Sequence, residues 1–96
     1  MKIPEKIKIG YRDYSINLIN GDVIDGNSVC YGNIKYDDGQ INISTKYSKD
    51  QIECTFIHEV LHGIDELMET NLEEEQIRKM AKGLCYILKN NKELFM

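Results

Sequence analysis

Ile57-His58-Glu59-Val60-Leu61-His62-Gly63-Ile64-Asp65-Glu66-Leu67-Met68 carries the clearest periodicity in the chain. Ile57, Val60, Leu61, Ile64, Leu67 and Met68 recur at helical spacing, so the segment reads as one amphipathic helix. His58 and His62 stand four apart at the edge of that apolar stripe. Residues i and i+4 share a helix face, which lets two imidazoles reach one point in space. These are the chain's two histidines, and residue frequencies would give this His-Glu-x-x-His pattern in roughly one such chain in several hundred. The plain alternative is a helix with two hydrogen-bonded histidines beside its core face.

Working outward, Ser48-Lys49-Asp50-Gln51 fits a capping box and starts this helix, which runs to about Met68. Asn71-Leu72-Glu73-Glu74 fits a second capping box. Beyond it Ile77, Met80, Ala81, Leu84, Ile87 and Leu88 form another apolar stripe, ending near Lys89-Asn90-Asn91. The first half reads as strands: Ile7-Lys8-Ile9, Tyr11 to Leu18, Cys30 to Tyr36 and Gln40 to Ser44. Asn20-Gly21-Asp22 is turn chemistry, and Asp37-Asp38-Gly39 between two alternating runs is a hairpin signal. Asp22 to Ser28, polar and glycine-containing, is expected to be a loop. The sum is an α+β domain spanning residues 1–96: an N-terminal antiparallel β-hairpin or meander followed by two helices.

Composition narrows the function. The chain has 96 residues, 42% of them hydrophobic and 29% charged, with a net charge of −4, which describes a small globular domain rather than a disordered one. It has no basic stripe, so nucleic-acid binding is not expected. No apolar signal region or long apolar run is present, so neither export nor a membrane partner is expected. Cys30, Cys54 and Cys85 are odd in number and widely spaced, which reads as reduced thiols in a cytoplasmic protein. Cys54, four before His58, is read as a small apolar residue near the site rather than a ligand.

Two imidazoles flanking a glutamate is the H-E-x-x-H arrangement of zinc peptidases. Zinc in a catalytic site takes three protein ligands and keeps one position open. His58 and His62 are therefore one ligand short, with Glu59 placed to take a proton from a water that the metal acidifies. The third ligand is sought among Glu73, Glu74 and Asp65, and Glu74 is favoured. Two features oppose it. Glu74 suits the N3 position of a box capped by Asn71, and in a tight helical hairpin it lies on the order of 10 Å along the axis from His62. A steep crossing or an early end to the first helix would be needed. Gly63 fits either a close backbone approach or a weakened helix. Asp65 suits an acceptor for an imidazole N–H better than a ligand.

His58 to Asp65, then Glu73-Glu74-Glu75-Gln76-Ile77 and Met80-Ala81-Lys82-Gly83-Leu84, resemble the small gluzincin-like metallopeptidases of phages and mobile elements, compact relatives of the ImmA/IrrE-type peptidases. The likeness covers roughly residues 30 to 90. It implies a minimal zincin-like domain, a zinc ion, a peptide or protein substrate, and a glutamate from the following helix completing the site, here Glu74. Departures are the missing Ala-Asn after the acidic residue and the absence of a partner domain. The expected activity is peptide-bond hydrolysis, with the strand at Gln40 to Ser44 pairing with an extended peptide if it lies at a sheet edge. Tyr31, Tyr36 and Tyr47 have the chemistry to stabilise an oxyanion, and none is assigned. The competing expectation is a phage or mobile-element binding module that engages a host protein, its metal site structural or vestigial. A metal-free scaffold offering Tyr86 and the acidic patch is a third. Oligomeric state is left open.

Overall fold

A computed structural model describes residues 1–95 of the chain. Lys6–Ile9 (β1) and Arg12–Ile19 (β2) form an antiparallel hairpin whose turn places Gly10 at φ 64, a conformation that glycine adopts without a Cβ clash. Val23–Asp25 (β3) and Ser28–Cys30 (β4) form a separate two-stranded sheet, and Gly32–Lys35 (β5) pairs antiparallel with Gln40–Ser44 (β6). Two helices follow, Lys49–Met68 (α1) and Glu74–Asn90 (α2), and a short 3-10 turn covers Lys92–Phe95. The α+β class read from the sequence is the observed one.

The main sheet runs β1-β2-β6-β5. Its two hairpins are joined by a parallel pairing of β2 with β6, so the sheet is mixed where an antiparallel meander was expected. Alternation along β6 sorts its two faces. Ile41 and Ile43 are fully buried in the cluster that holds Tyr14, Ile16, Phe56 and Ile57. Asn42 points the other way and links the strands through amides: Asn17 Nδ2 donates to Asn42 Oδ1 at 2.9 Å, and Asn42 Nδ2 donates to Asn33 Oδ1 at 3.0 Å. The polar residue between the two buried isoleucines thus has a partner on each adjoining strand.

The segment expected to be a loop, Asp22 to Ser28, instead supplies β3 and the start of β4. Gly26-Asn27 makes a two-residue turn with Gly26 at φ 64, the connection that suits the twist of a tight hairpin. Val23 tucks inward at 5% exposure while Ile24 and Val29, paired across the hairpin, face out.

α1 contacts β1, β5 and β6, and α2 packs chiefly against α1. Ser48 caps α1 by accepting the Gln51 N–H at 3.1 Å. The helix continues unbroken past Gly63, where an added Cβ would come within 2.6 Å of Ile9 Cδ1 and 3.4 Å of Ile34 Cδ1. Gly63 therefore marks a close approach of helix to sheet, not an early end. On α2 only Ile77, Ala81 and Cys85 are buried. Met80, Leu84 and Ile87, expected in the core stripe, are 52%, 37% and 51% exposed, because α2 has one main neighbour and a single contact covers a narrower arc of helix.

The cysteines also depart from expectation. Cys54 of α1 and Cys85 of α2 are joined as a disulfide with a Cα–Cα distance of 5.5 Å, leaving Cys30 free. Their separation of 31 residues in sequence hid a pairing that helix packing creates.

Candidate metal centre

α1 presents His58 and His62 one turn apart, with Nε2 atoms 3.2 Å from each other. Glu74, the first residue of α2, reaches both: its Oε1 lies 2.9 Å from His58 Nε2 and its Oε2 2.7 Å from His62 Nε2. Two ligands held about 2.0–2.1 Å from a tetrahedral ion sit roughly 3.3 Å apart. The observed separations, 2.7 to 3.2 Å, lie about 0.1 to 0.6 Å inside that figure, and the donor set of two imidazoles and a carboxylate is one that divalent metals accept. His58, His62 and Glu74 form a group that could hold a metal ion.

The obstacle foreseen for Glu74 is overcome at the loop, without an early end to α1. α1 reaches Met68 in full. Glu69 and Asn71 both take left-handed backbone angles, φ 55 and φ 56, and turn the chain back along the last turn of α1. Asp65 fastens it there, its Oδ1 accepting the Leu72 N–H at 2.9 Å and the Thr70 hydroxyl. Leu72 is thereby held level with Asp65, and Glu74, two residues on, falls level with His62.

Asn71 cannot cap α2, since an N-cap residue is extended and Asn71 is left-handed. The cap is Glu73, extended at φ −77 and ψ 155, and Gln76 Oε1 accepts the Glu73 N–H at 2.9 Å. The N3 duty assigned to Glu74 thus passes to Gln76, and Glu74 is free to face the histidines. Asp65 serves the loop and not an imidazole, and those bonds, the Thr70 hydroxyl first and the Leu72 amide second, hold its carboxyl below the usual range.

Glu59 sits one residue beyond His58, is only 6% exposed and lines the same cleft. Burial pushes its carboxyl up to about 8, helped by the charges of Glu74 and Asp25. Burial likewise lowers His58, with His62 and Arg78 adding to the effect and Glu74 opposing it. An imidazole that resists protonation keeps its lone pair available, which is the state a metal ligand needs.

The cleft has a volume of about 1010 Å³ and is open to solvent. α1 lines it from Asp50 to His62, α2 from Glu74 to Lys89, and β4 and β5 form the other side. Tyr31 and Tyr36 both reach it. The Tyr36 hydroxyl donates to the His62 carbonyl at 3.3 Å, and burial, aided by Asp65 and Glu59, pushes its pKa up to about 12. Tyr47 packs edge-on against Tyr31, ring centroids 4.6 Å apart. The strand expected at the edge, Gln40 to Ser44, is β6, which is paired on both sides; the edge facing the cleft is β5. Cys54 lines the cleft too, but its sulfur is bonded to Cys85 and is no ligand.

Among the lining residues that went unanticipated are Asp25, Arg78 and Lys82. For the last two a signal existed, because Glu74, Arg78 and Lys82 follow one another at intervals of four along a single helix face. No helix is long and apolar enough to cross a membrane among the described residues. No protein-family description, curated protein or solved structure matches the chain.

Proposed function

We propose that this chain is a zinc-dependent peptidase of minimal zincin-like form that hydrolyses a peptide bond in a peptide or protein substrate. The observation that carries the reading is the meeting of His58, His62 and Glu74 within 4.8 Å of one another, beside a buried glutamate in an open cleft. Zinc, when bound, supplies Lewis acidity towards a carbonyl oxygen and lowers the pKa of water.

The chain's own residues supply the rest. His58 and His62 offer imidazole nitrogens fixed by one helix, and Glu74 adds a negative charge that favours holding a cation. Glu59 takes the proton of the attacking water and delivers it to the departing amine nitrogen. Its raised pKa in the metal-free site reflects burial beside Glu74; a nearby dication favours the carboxylate form that a base requires. β5, as the free edge on the cleft, can pair with an extended substrate backbone. Tyr36 braces the His62 turn through its hydroxyl.

The test is metal content and cleavage measured together on untagged protein. About one zinc per wild-type chain is expected, lost in His58→Ala and Glu74→Ala. Glu59→Gln should keep the zinc and lose peptide cleavage by a factor on the order of 10²–10⁴. Wild-type protein that takes up no zinc would remove the proposal's foundation.

The competing reading, a mobile-element binding module engaging a host protein, draws on the exposed apolar row Met80, Leu84 and Ile87. It expects Glu59→Gln to keep full biological effect. The proposed compartment is the cytoplasm, but the cysteines no longer argue for it, since a Cys54–Cys85 bridge is the state an oxidising compartment favours.

A further inference from the structure

We propose that Arg78 and Lys82 form a selectivity wall that draws acidic, extended polypeptide segments into the cleft beside His58, His62 and Glu74. The proposal takes from the peptidase reading only that the cleft receives a peptide; it does not require hydrolysis.

The cleft runs along α2, which lines it at Glu74, Arg78, Lys82, Tyr86 and Lys89. Of the three cations, Lys89 is already committed, bonded to Asp50 and 3.5 Å from the buried Glu53. Arg78 is held only by an exposed contact to Glu75 at 3.3 Å, a kind of pair that contributes little and exchanges readily. Lys82 is exposed and has no ion-pair partner among the described residues. Two cations are therefore available on the wall next to the metal ligands.

Their spacing suits a strand. Four residues of helix advance about 6 Å, and alternate residues of an extended chain stand about 6.6–6.8 Å apart. A peptide lying along α2 would present every second side chain to this wall, so carboxylates at alternate positions would meet Arg78 and Lys82 in turn. The guanidinium of Arg78 can take a carboxylate through two parallel bonds. The opposite side carries Tyr31, Asn33, Ile34 and Tyr36, with Asp25 as the carboxylate at that rim. Asp25 repels acidic side chains there and turns them towards α2. The net charge of −4 opposes acidic partners at long range, so any preference for them must come from local contacts.

The test is binding of dye-labelled, end-blocked decapeptide pools to the Glu59→Gln protein, with and without one equivalent of zinc. The pools carry Glu, Gln or Lys at alternate positions and are otherwise mixed. The expected result is about tenfold tighter binding of the Glu pool than of the Gln pool, from two charge-assisted contacts. Arg78→Glu/Lys82→Glu should reverse the order in favour of the Lys pool. Lys79→Glu/Lys92→Glu changes total charge equally but off the cleft, and should leave the order unchanged. Equal binding of all pools, or an equal response to both double variants, overturns the proposal. Wild-type cleavage assayed in parallel separates the two readings. Selective binding without cleavage retains the wall and removes the peptidase; cleavage without charge preference does the reverse.

Discussion

α1 and α2 are of similar length and touch along the same interface, yet they are held very differently. α1 rests on β1, β5 and β6 as well as on α2, and its sequence fixes both of its histidines on one face. α2 is anchored by Ile77, Ala81 and Cys85, with Leu88 partly buried, and leaves Met80, Leu84 and Ile87 exposed. The difference shows how a three-ligand site divides its demands. Two ligands on one helix need only helix geometry, whereas the third needs the correct register between helices. In this chain that register is set by a loop clamp at Asp65 and a covalent link between Cys54 and Cys85.

The largest expected contrast is in the core. Ile41→Ala, at a fully buried position, should cost about 2–5 kcal/mol in chemical denaturation. Ile87→Ala on the exposed face of α2 should stay within about 0.5 kcal/mol. Equal losses would mean that α2 is covered in solution, and would break the comparison.

Next comes the cross-link. The chain-entropy relation for a loop of this size gives about 3–4 kcal/mol, so Cys85→Ser should lower unfolding free energy by up to that amount. The same variant should weaken zinc binding more than its effect on His58 and His62 alone would explain. Zinc affinity unchanged in Cys85→Ser would show that the loop fixes the register without help.

The smallest effect belongs to the loop clamp, and it is the most specific. Asp65→Ala should reduce zinc affinity about tenfold through misplacement of Glu74, less than Glu74→Ala does. Its pH dependence has a definite sign. The Asp65 carboxyl is held below its ordinary value by Thr70 and Leu72, so its contribution to stability is complete above the unfolded value near 3.8. It is lost as pH falls through the lower folded value. Wild type and Asp65→Ala should therefore differ in melting temperature at neutral pH, and the difference should shrink as acid protonates the Asp65 carboxyl. A difference that persists in acid would assign Asp65 a role other than its ionised bonds.

The sequence was most legible where one local cause dominates. The bounds of α1 follow from the Ser48 cap and the apolar period ending at Met68, and the β5–β6 hairpin follows from Asp37-Asp38-Gly39. β3 and β4 were missed because each is three residues long and mostly exposed. Their signal was Gly26-Asn27 set between Ile24 and Val29. The capping box at Asn71 was misread for a different reason. By residue type Asn71 is the better cap, and only its left-handed turn excludes it in favour of Glu73.

What the sequence determined by itself is the pairing of His58 with His62 and the place of Glu59 between them, because an α-helix has a fixed rise and turn. The α+β class is likewise written in the change from strand-like alternation to helical period along the chain. Tertiary structure alone decided that β6 lies inside the sheet, that Cys54 meets Cys85, and that Glu74 stands level with the histidines. These depend on how far one element slides along another. That distance is set by packing at Gly63 and by the bonds of Asp65 to residues several positions away, and no local pattern encodes it.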